Sequence, residues 1–376
     1  MADAFRYRVV LSVITKNPLL IPDFTDETQR VKPYEESFLN FVVKICTPKV
    51  VGQEYGRFWW VSGRTFHFNP PGSIPTVGGR SYRLHPSRTI AWYLEPVLVM
   101  LAFSSGEDQN ITATTRIKLF GATHNAIDLS ADVLQTGGLP VLKAAGIDGA
   151  RIHIATRAVM DPSQDSKAIP QGEVAVTMPC VKNLEPIDLV NEGQVKRLLT
   201  YAWGIAANDL PTTAMATTNN VMRQYINADS SNNLAVKAKP QHSAGGYGVF
   251  TVTQTDAEVT RVAEASSMCF PEARVDTDAV NPAIRVGTLA ARRTLGVIAG
   301  GGCVSPQLVP LALCLMALCP EVSKLRVGLM TPFIEELERV IEEMLHVTFS
   351  KEPGASGTTI YVTKGAMVTN INRQYK

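Results

Sequence analysis

The hydrophobic pattern changes character along the chain. Up to about residue 186 the apolar runs are short and rich in β-branched and aromatic residues, as half-buried strands require. Phe5–Ile14, Phe38–Cys46, Phe58–Phe68, Thr114–Phe120, Arg151–Val159 and Glu173–Met178 therefore predict strands. Proline, glycine and asparagine clusters at 69–72 and 136–140 punctuate them. One helix is predicted near Arg88–Phe103, with Pro96 kinking or dividing it. Beyond residue 186 the spacing becomes helical. Asp188–Ala207, Thr212–Ile226, Asp256–Met268, Pro282–Ile298, Pro306–Leu318 and Thr331–Val347 predict helices. The last has a capping threonine at Thr331, Pro332 in its first turn, early acids at Glu335 and Glu336, and an apolar stripe through Ile334, Leu337, Val340, Ile341 and Leu345.

This pattern predicts an α+β protein: a β-rich N-terminal domain over 1–186, a mainly helical C-terminal domain over 187–349 and a C-terminal arm over 350–376. Asn227–Tyr247 and Ser350–Thr358 are expected to be mobile. No internal repeat of about 20 to 50 residues is visible.

Composition narrows the picture only a little. The 376 residues include 45% hydrophobic and 19% charged, and the net charge is +2, so any electrostatic argument has to be local. The six cysteines form no Cys-x-x-Cys pair and read as buried thiols in a reducing compartment. The apolar run Leu308–Leu318 is too short to span a membrane and is flanked by Pro306 and Pro320.

Locally the charge is uneven. Between Glu54 and Glu95 there is no acid, but there are Arg57, Arg64, Arg80, Arg83 and Arg88, with Trp59, Trp60 and Tyr82 among them. Guanidinium groups neutralise phosphates and aromatic faces stack on bases, so this mixture suits single-stranded nucleic acid. A sheet with buried aromatics and a solvated arginine face explains it as well. Two further acid-free stretches carry Arg116 and Lys118, and Arg285, Arg292 and Arg293. Arg285 and Arg292 would lie two turns apart on one helix face. Three such stretches together point to an RNA-binding groove.

Enzyme signatures are weak. Gly300–Gly302 and Gly245–Gly248 match neither a P-loop nor a dinucleotide fingerprint. The histidines form no zinc-ligand cluster. Asp276 and Asp278 are a minimal candidate for a divalent cation. The expectation is no enzyme, no metal and no cofactor.

The run from Ala283 to Thr288, Ala-Ile-Arg-Val-Gly-Thr, resembles a short central segment of lyssavirus nucleoproteins. The resemblance implies a viral nucleoprotein or coat protein of an RNA virus. Such a protein would self-assemble, coat RNA without sequence preference, and reside in the virion and host cytoplasm or nucleus, with RNA and its own copies as partners and no membrane contact. A shell-forming capsid protein, and an enzyme whose site is assembled in space from unrecognised residues, are the two alternatives.

Overall fold

The computed structural model describes residues 4–22, 31–46, 57–61, 65–71, 74, 79–106, 114–159, 172–205, 209–226, 234–238, 246–270 and 281–372. The chain begins with α1 (Phe5–Thr15), β1 (Leu19–Ile21), α2 (Pro33–Cys46), β2 (Arg57–Val61) and β3 (Thr65–Asn69). It continues with β4 (Arg80–Arg83), α3 (Ile90–Ala102), β5 (Thr114–Gly121), the short α4 (Ala131–Val133), a π turn, α5 (Leu139–Ala144), β6 (Arg151–Thr156) and β7 (Gly172–Pro179). Then come β8 (Asp188–Leu189), β9 (Val195–Ile205), α6 (Leu210–Met222), β10 (Leu234–Ala238), β11 (Gly248–Thr255), β12 (Thr260–Ser266) and α7 (Pro282–Gly300). The series closes with α8 (Val309–Leu318), β13 (Val322–Val327), α9 (Pro332–Leu345), β14 (Ser350–Pro353) and β15 (Thr359–Lys364).

The α+β class holds, with helices and strands on both sides of residue 186. The topology also contains a repeat that the sequence conceals. One sheet has the order β4-β5-β7-β6 and another the order β8-β13-β15-β14. In both, the first two strands are parallel and the remaining pairs antiparallel. Each is a β-α-β-α-β-β unit. The first sheet, β1-β3-β2, shows the last three strand positions of the same unit among the described residues, with α1 and α2 in the places of the two helices. A fourth sheet, β10-β9-β11-β12, is inserted between β8 and α8 and is covered by α6 and α7.

The helices of the three units pack on one another as a common core. All residues of α3 and α8 are buried, and α1 packs on α3 and α9. One continuous apolar cluster runs from Phe5 to Tyr361.

Four segments have the opposite secondary structure to the one predicted. Phe5–Ile14 is helix α1, and Phe38–Cys46 is the later part of α2. In α1 nearly every side chain is buried, so the pattern has no polar face to reveal a helical period, and tertiary burial overrides the strand preference of its valines. Asp188–Ala207 contains β8 and β9, and Asp256–Met268 contains β12. Leu198 and Ala202 face the α6–α7 layer while Trp203 faces the main core, so β9 is apolar on both sides and its spacing imitates a helix. Ser350–Thr358 is also ordered, as β14 and a turn. Pro96 sits inside a single helix. Most of Asn227–Tyr247, together with Asp276 and Asp278, lies outside the described residues.

Candidate functional site

Four helices bring their N-terminal ends to one pocket of about 300 Å³. Arg6 comes from the first turn of α1, and Ala91 and Trp92 from the first turn of α3. Pro306, Gln307 and Pro310 come from the entry to α8, and Thr331 and Phe333 from the start of α9. Backbone N–H groups at a helix N-terminus lack intrahelical partners and carry partial positive charge, so such an end favours an anion. Here the Ile90 N–H is taken by the Ala122 carbonyl and those of Trp92 and Ile334 by threonine caps, which leaves the aligned helix dipoles as the main contribution. The first turns of α1, α3 and α8 contain no acidic residue to neutralise this charge.

Two arginines reinforce it. Arg6 is 5% exposed, and its guanidinium lies 4.4 Å from the Trp92 ring centroid, donates to the Trp92 carbonyl and sits 3.7 Å from Glu95. Its Nε is buried without a hydrogen-bond partner. Tyr7 donates to the other oxygen of Glu95. Burial raises the Glu95 pKa above the usual carboxylate range, although Arg6 and Tyr7 pull it the other way. Arg88 donates to Asp128 at 2.6 Å and lies 4.6 Å from the Tyr34 ring centroid. Burial opposes the Arg88 charge, but Tyr34 and Asp128 outweigh it and its pKa is raised. Asp128 also accepts from the Thr89 N–H at 3.1 Å and from Asn125 at 2.7 Å. Thr89 caps α3 by accepting from the Trp92 N–H at 3.2 Å, and Thr331 caps α9 by accepting from the Ile334 N–H at 3.3 Å. The lining pairs its two arginines with two carboxylates, Arg6 with Glu95 and Arg88 with Asp128, so the attraction for a phosphate-sized anion comes from the helix ends and the unpaired Arg6 Nε, with Gln307 and Thr331 as neutral polar neighbours.

A larger cleft of about 670 Å³ lies between α2 and the edge strand β4, lined by Glu36, Ser37, Asn40, Lys44, Arg80, Tyr82, Arg83 and His85. Tyr34, at the start of α2, lies beneath the Arg88 guanidinium and packs edge-on against Trp92, 5.4 Å between ring centroids. The smaller pocket is the better centre for chemistry, because buried charge and helix ends converge there, whereas the cleft is walled by one helix and one strand.

The predicted basic residues are dispersed over several places. Arg88 lines the small pocket, and Arg80 and Arg83 line the cleft. Tyr82 also lines the cleft, but it is 7% exposed and packed edge-on against Phe41 at 5.1 Å, so no ring face is left for a base. Trp59 is exposed on β2 and stacks on His67 at 5.2 Å. Arg57 and Trp60 lie in the same strand, and Arg64 lies outside the described residues. Arg116 and Lys118 are on the exposed side of β5, with Lys118 3.3 Å from Glu173. On α7, Arg285 lies over Phe270 at 4.7 Å, Arg293 donates to the Glu264 carbonyl at 2.8 Å and Arg292 is exposed. The two-turn spacing on α7 is real, but it does not lead to the pocket, whose lining contains none of the three.

The sequence reading missed Arg6, Glu95, Asp128, Gln307 and Thr331 as pocket residues. One signal was available. Glu95 is the lone acid in the otherwise apolar helix α3, and a buried carboxylate in such a helix needs a partner.

A second buried charge cluster supports the inserted sheet. Asp132 accepts from Arg157 at 2.6 and 2.9 Å and lies 3.0 Å from His124, whose ring packs on Trp203 of β9 at 4.1 Å. The Ser130 N–H donates to Glu264 of β12 at 3.2 Å.

A family model described as RNA 3'-terminal phosphate cyclase matches residues 2–351. The chain is 26% identical over 380 residues to a probable RNA 3'-terminal phosphate cyclase-like protein of Dictyostelium discoideum, covering 96% of this chain and 94% of that protein. It is 28% identical over 362 residues to the human RNA 3'-terminal phosphate cyclase-like protein, covering 94% and 89%. It is 26% identical over 382 residues to the rRNA processing protein rcl1 of Schizosaccharomyces pombe, covering 98% and 95%.

These matches correct several expectations. The resemblance to viral nucleoproteins rested on six residues that form part of α7, and the relatives along nearly the whole length are cellular proteins. The RNA-coating or capsid role and the virion location fall with it. The flat expectation of no enzyme is overturned too, since the matching family is named for an RNA cyclase and the spatially assembled site fits better. RNA stands as the partner class, and no helix among the described residues is long and apolar enough to cross a membrane. With the match extending from residue 2 to residue 351, the chain belongs to the RNA 3'-terminal phosphate cyclase family.

Proposed function

We propose that this protein acts on RNA by holding a phosphate-bearing RNA end in the pocket between α1, α3, α8 and α9. The observation that carries the reading is the convergence of those helix N-termini on Arg6 and Arg88. An anion there meets partial positive charge from several directions and two guanidinium groups, one with a buried N–H in search of an acceptor. Desolvated donors of this kind stabilise charge on a phosphate more strongly than exposed ones. Arg80, Arg83 and Lys44 in the neighbouring cleft would receive the nucleotides that precede the end.

The family name centres on a 3'-terminal RNA phosphate, and the fission yeast relative is named for ribosomal RNA processing. Both agree with an anion pocket opening beside a basic cleft. They favour ribosomal RNA precursors as the substrate class, and the nucleus as the place of action. Binding of a short RNA ending in a 3'-phosphate, compared with the same RNA ending in a 3'-hydroxyl, tests the proposal. The phosphorylated RNA is expected to bind about tenfold more tightly or better, as a charge-assisted contact contributes roughly 1.5–3 kcal/mol. Equal affinity for the two would remove the pocket from the account.

A further inference from the structure

The side of the second sheet that faces away from the core helices is basic, and its two topological counterparts are not. Residues directly opposite one another in a sheet point to the same side, so register identifies its members. Arg83 of β4 lies opposite Phe120 of β5, and Ser81 opposite Lys118. On β7, Thr177 lies opposite Arg116, Ala175 opposite Lys118 and Glu173 opposite Phe120. On β6, Arg151 lies opposite Thr177 and His153 opposite Ala175. Arg83, Arg116, Lys118, Arg151 and His153 are all exposed, while Ile117, Leu119, Ile152, Val174 and Val176 between them are buried. The acid on this side within the four strands is Glu173, 3.3 Å from Lys118.

The same topology elsewhere in the chain does not produce such a face. On the first sheet the corresponding row is Leu20, His67 and Trp59. On the third, Lys324, Arg326 and Lys364 share their side with Asp188 and Glu352, so the cations are interspersed with acids. The basic face is therefore a property of these side chains and not of the fold. Its middle is low, because Ala175 and Thr177 are small. Strands lie about 4.8 Å apart, so the cations extend roughly 14 Å from β4 to β6. Arg83 belongs both to this face and to the lining of the cleft, which makes the two continuous.

We infer that this face is a docking surface for the sugar–phosphate backbone of the RNA whose end occupies the pocket. The inference rests on the proposed RNA-binding function and extends it to a second, sequence-independent contact. Guanidinium and ammonium groups on a flat, open surface suit phosphates, and contacts of that kind position an RNA without reading its bases.

The test uses the full chain with Arg116→Gln, Lys118→Gln and Arg151→Gln combined, and 3'-phosphorylated oligouridylates of four and sixteen nucleotides. Affinities are measured by fluorescence anisotropy over a salt series, with thermal melting to confirm that the variant folds. The single charge reversal Arg151→Glu serves as a milder second variant. The wild type is expected to favour the longer RNA, and the triple variant to lose about tenfold of that advantage. Its salt dependence for the longer RNA should become shallower by about 2 in log–log slope, as for the loss of three phosphate contacts on a single strand. Unchanged length preference and unchanged slope in both variants, with the four-nucleotide RNA still bound, would overturn this surface while leaving the pocket intact. Failure of the wild type to bind either RNA would overturn both.

Discussion

Arg88 donates to Asp128 at 2.6 Å across the mouth of α3, and the other oxygen of the same carboxylate receives the Thr89 N–H at 3.1 Å. One acid thus aims an arginine at the pocket and steadies the first turn of the helix that forms its wall. Asp128 is 3% exposed at its side chain and Arg88 18%, so neither is a freely solvated charge.

Asp128→Ala should therefore cost more than a surface ion pair would. It leaves a largely buried guanidinium without its carboxylate and removes an acceptor from the Thr89 N–H. A loss of about 2–4 kcal/mol is expected, read from urea denaturation. A loss below about 0.5 kcal/mol would show that the pair does not support α3.

Asp132 makes a pH-dependent contribution. Burial alone would raise its pKa, but the hydrogen bonds from Arg157 and the neighbouring His124 outweigh burial and bring it from 3.8 to about 2. A carboxylate whose folded pKa is depressed stabilises the fold above its unfolded pKa, and that contribution is lost as pH falls through the folded value. Asp132→Asn should therefore be less stable than wild type above pH 4, by an amount of order 2 kcal/mol from this linkage. The difference should shrink as the pH falls towards about 2. Stability curves that stay parallel across that window would contradict the assignment.

Two glycines on α7 should respond in opposite directions to alanine. A Cβ on Gly287 would come within 2.3 Å of the Ala214 carbonyl oxygen, where α6 and α7 meet closely, and one on Gly296 would meet nothing within 4 Å. Gly287→Ala is expected to destabilise by about 1–3 kcal/mol through forced separation of the helices. Gly296→Ala should stabilise by roughly 0.5–1 kcal/mol, because alanine suits a helix interior better than glycine. Thermal melting of the two variants checks both signs.

What the sequence disclosed depended on whether an element has a wet face. Helix α9, with its Thr331 cap and one apolar stripe, is placed correctly, and so are β5 and β7, where buried and exposed residues alternate. Helix α1 and strand β9 are covered on both sides, so their periodicity carries no helix or strand signal and each resembles the other's conformation in sequence. The repeated units leave no trace in the sequence because the repeat lies in strand order and direction. An insertion of more than a hundred residues between β8 and α8 also separates parts of the third unit.

The site was legible only in part, for a related reason. Arg80, Arg83 and Arg88 stood out because they lie in one acid-free stretch. The pocket itself draws its lining from the starts of α1, α3, α8 and α9, spread over more than 300 positions, and no local motif encodes such a meeting.

The proposed function requires the pocket arginines to recognise a terminal RNA phosphate. The most direct measurement is the ratio of affinities for one short RNA with and without a 3'-phosphate, in the wild type and in Arg88→Gln, with melting curves recorded for both proteins. A ratio of about ten or more in the wild type that falls towards one in the folded variant is the predicted result. A wild-type ratio near one, or a ratio that survives the substitution undiminished, would contradict it.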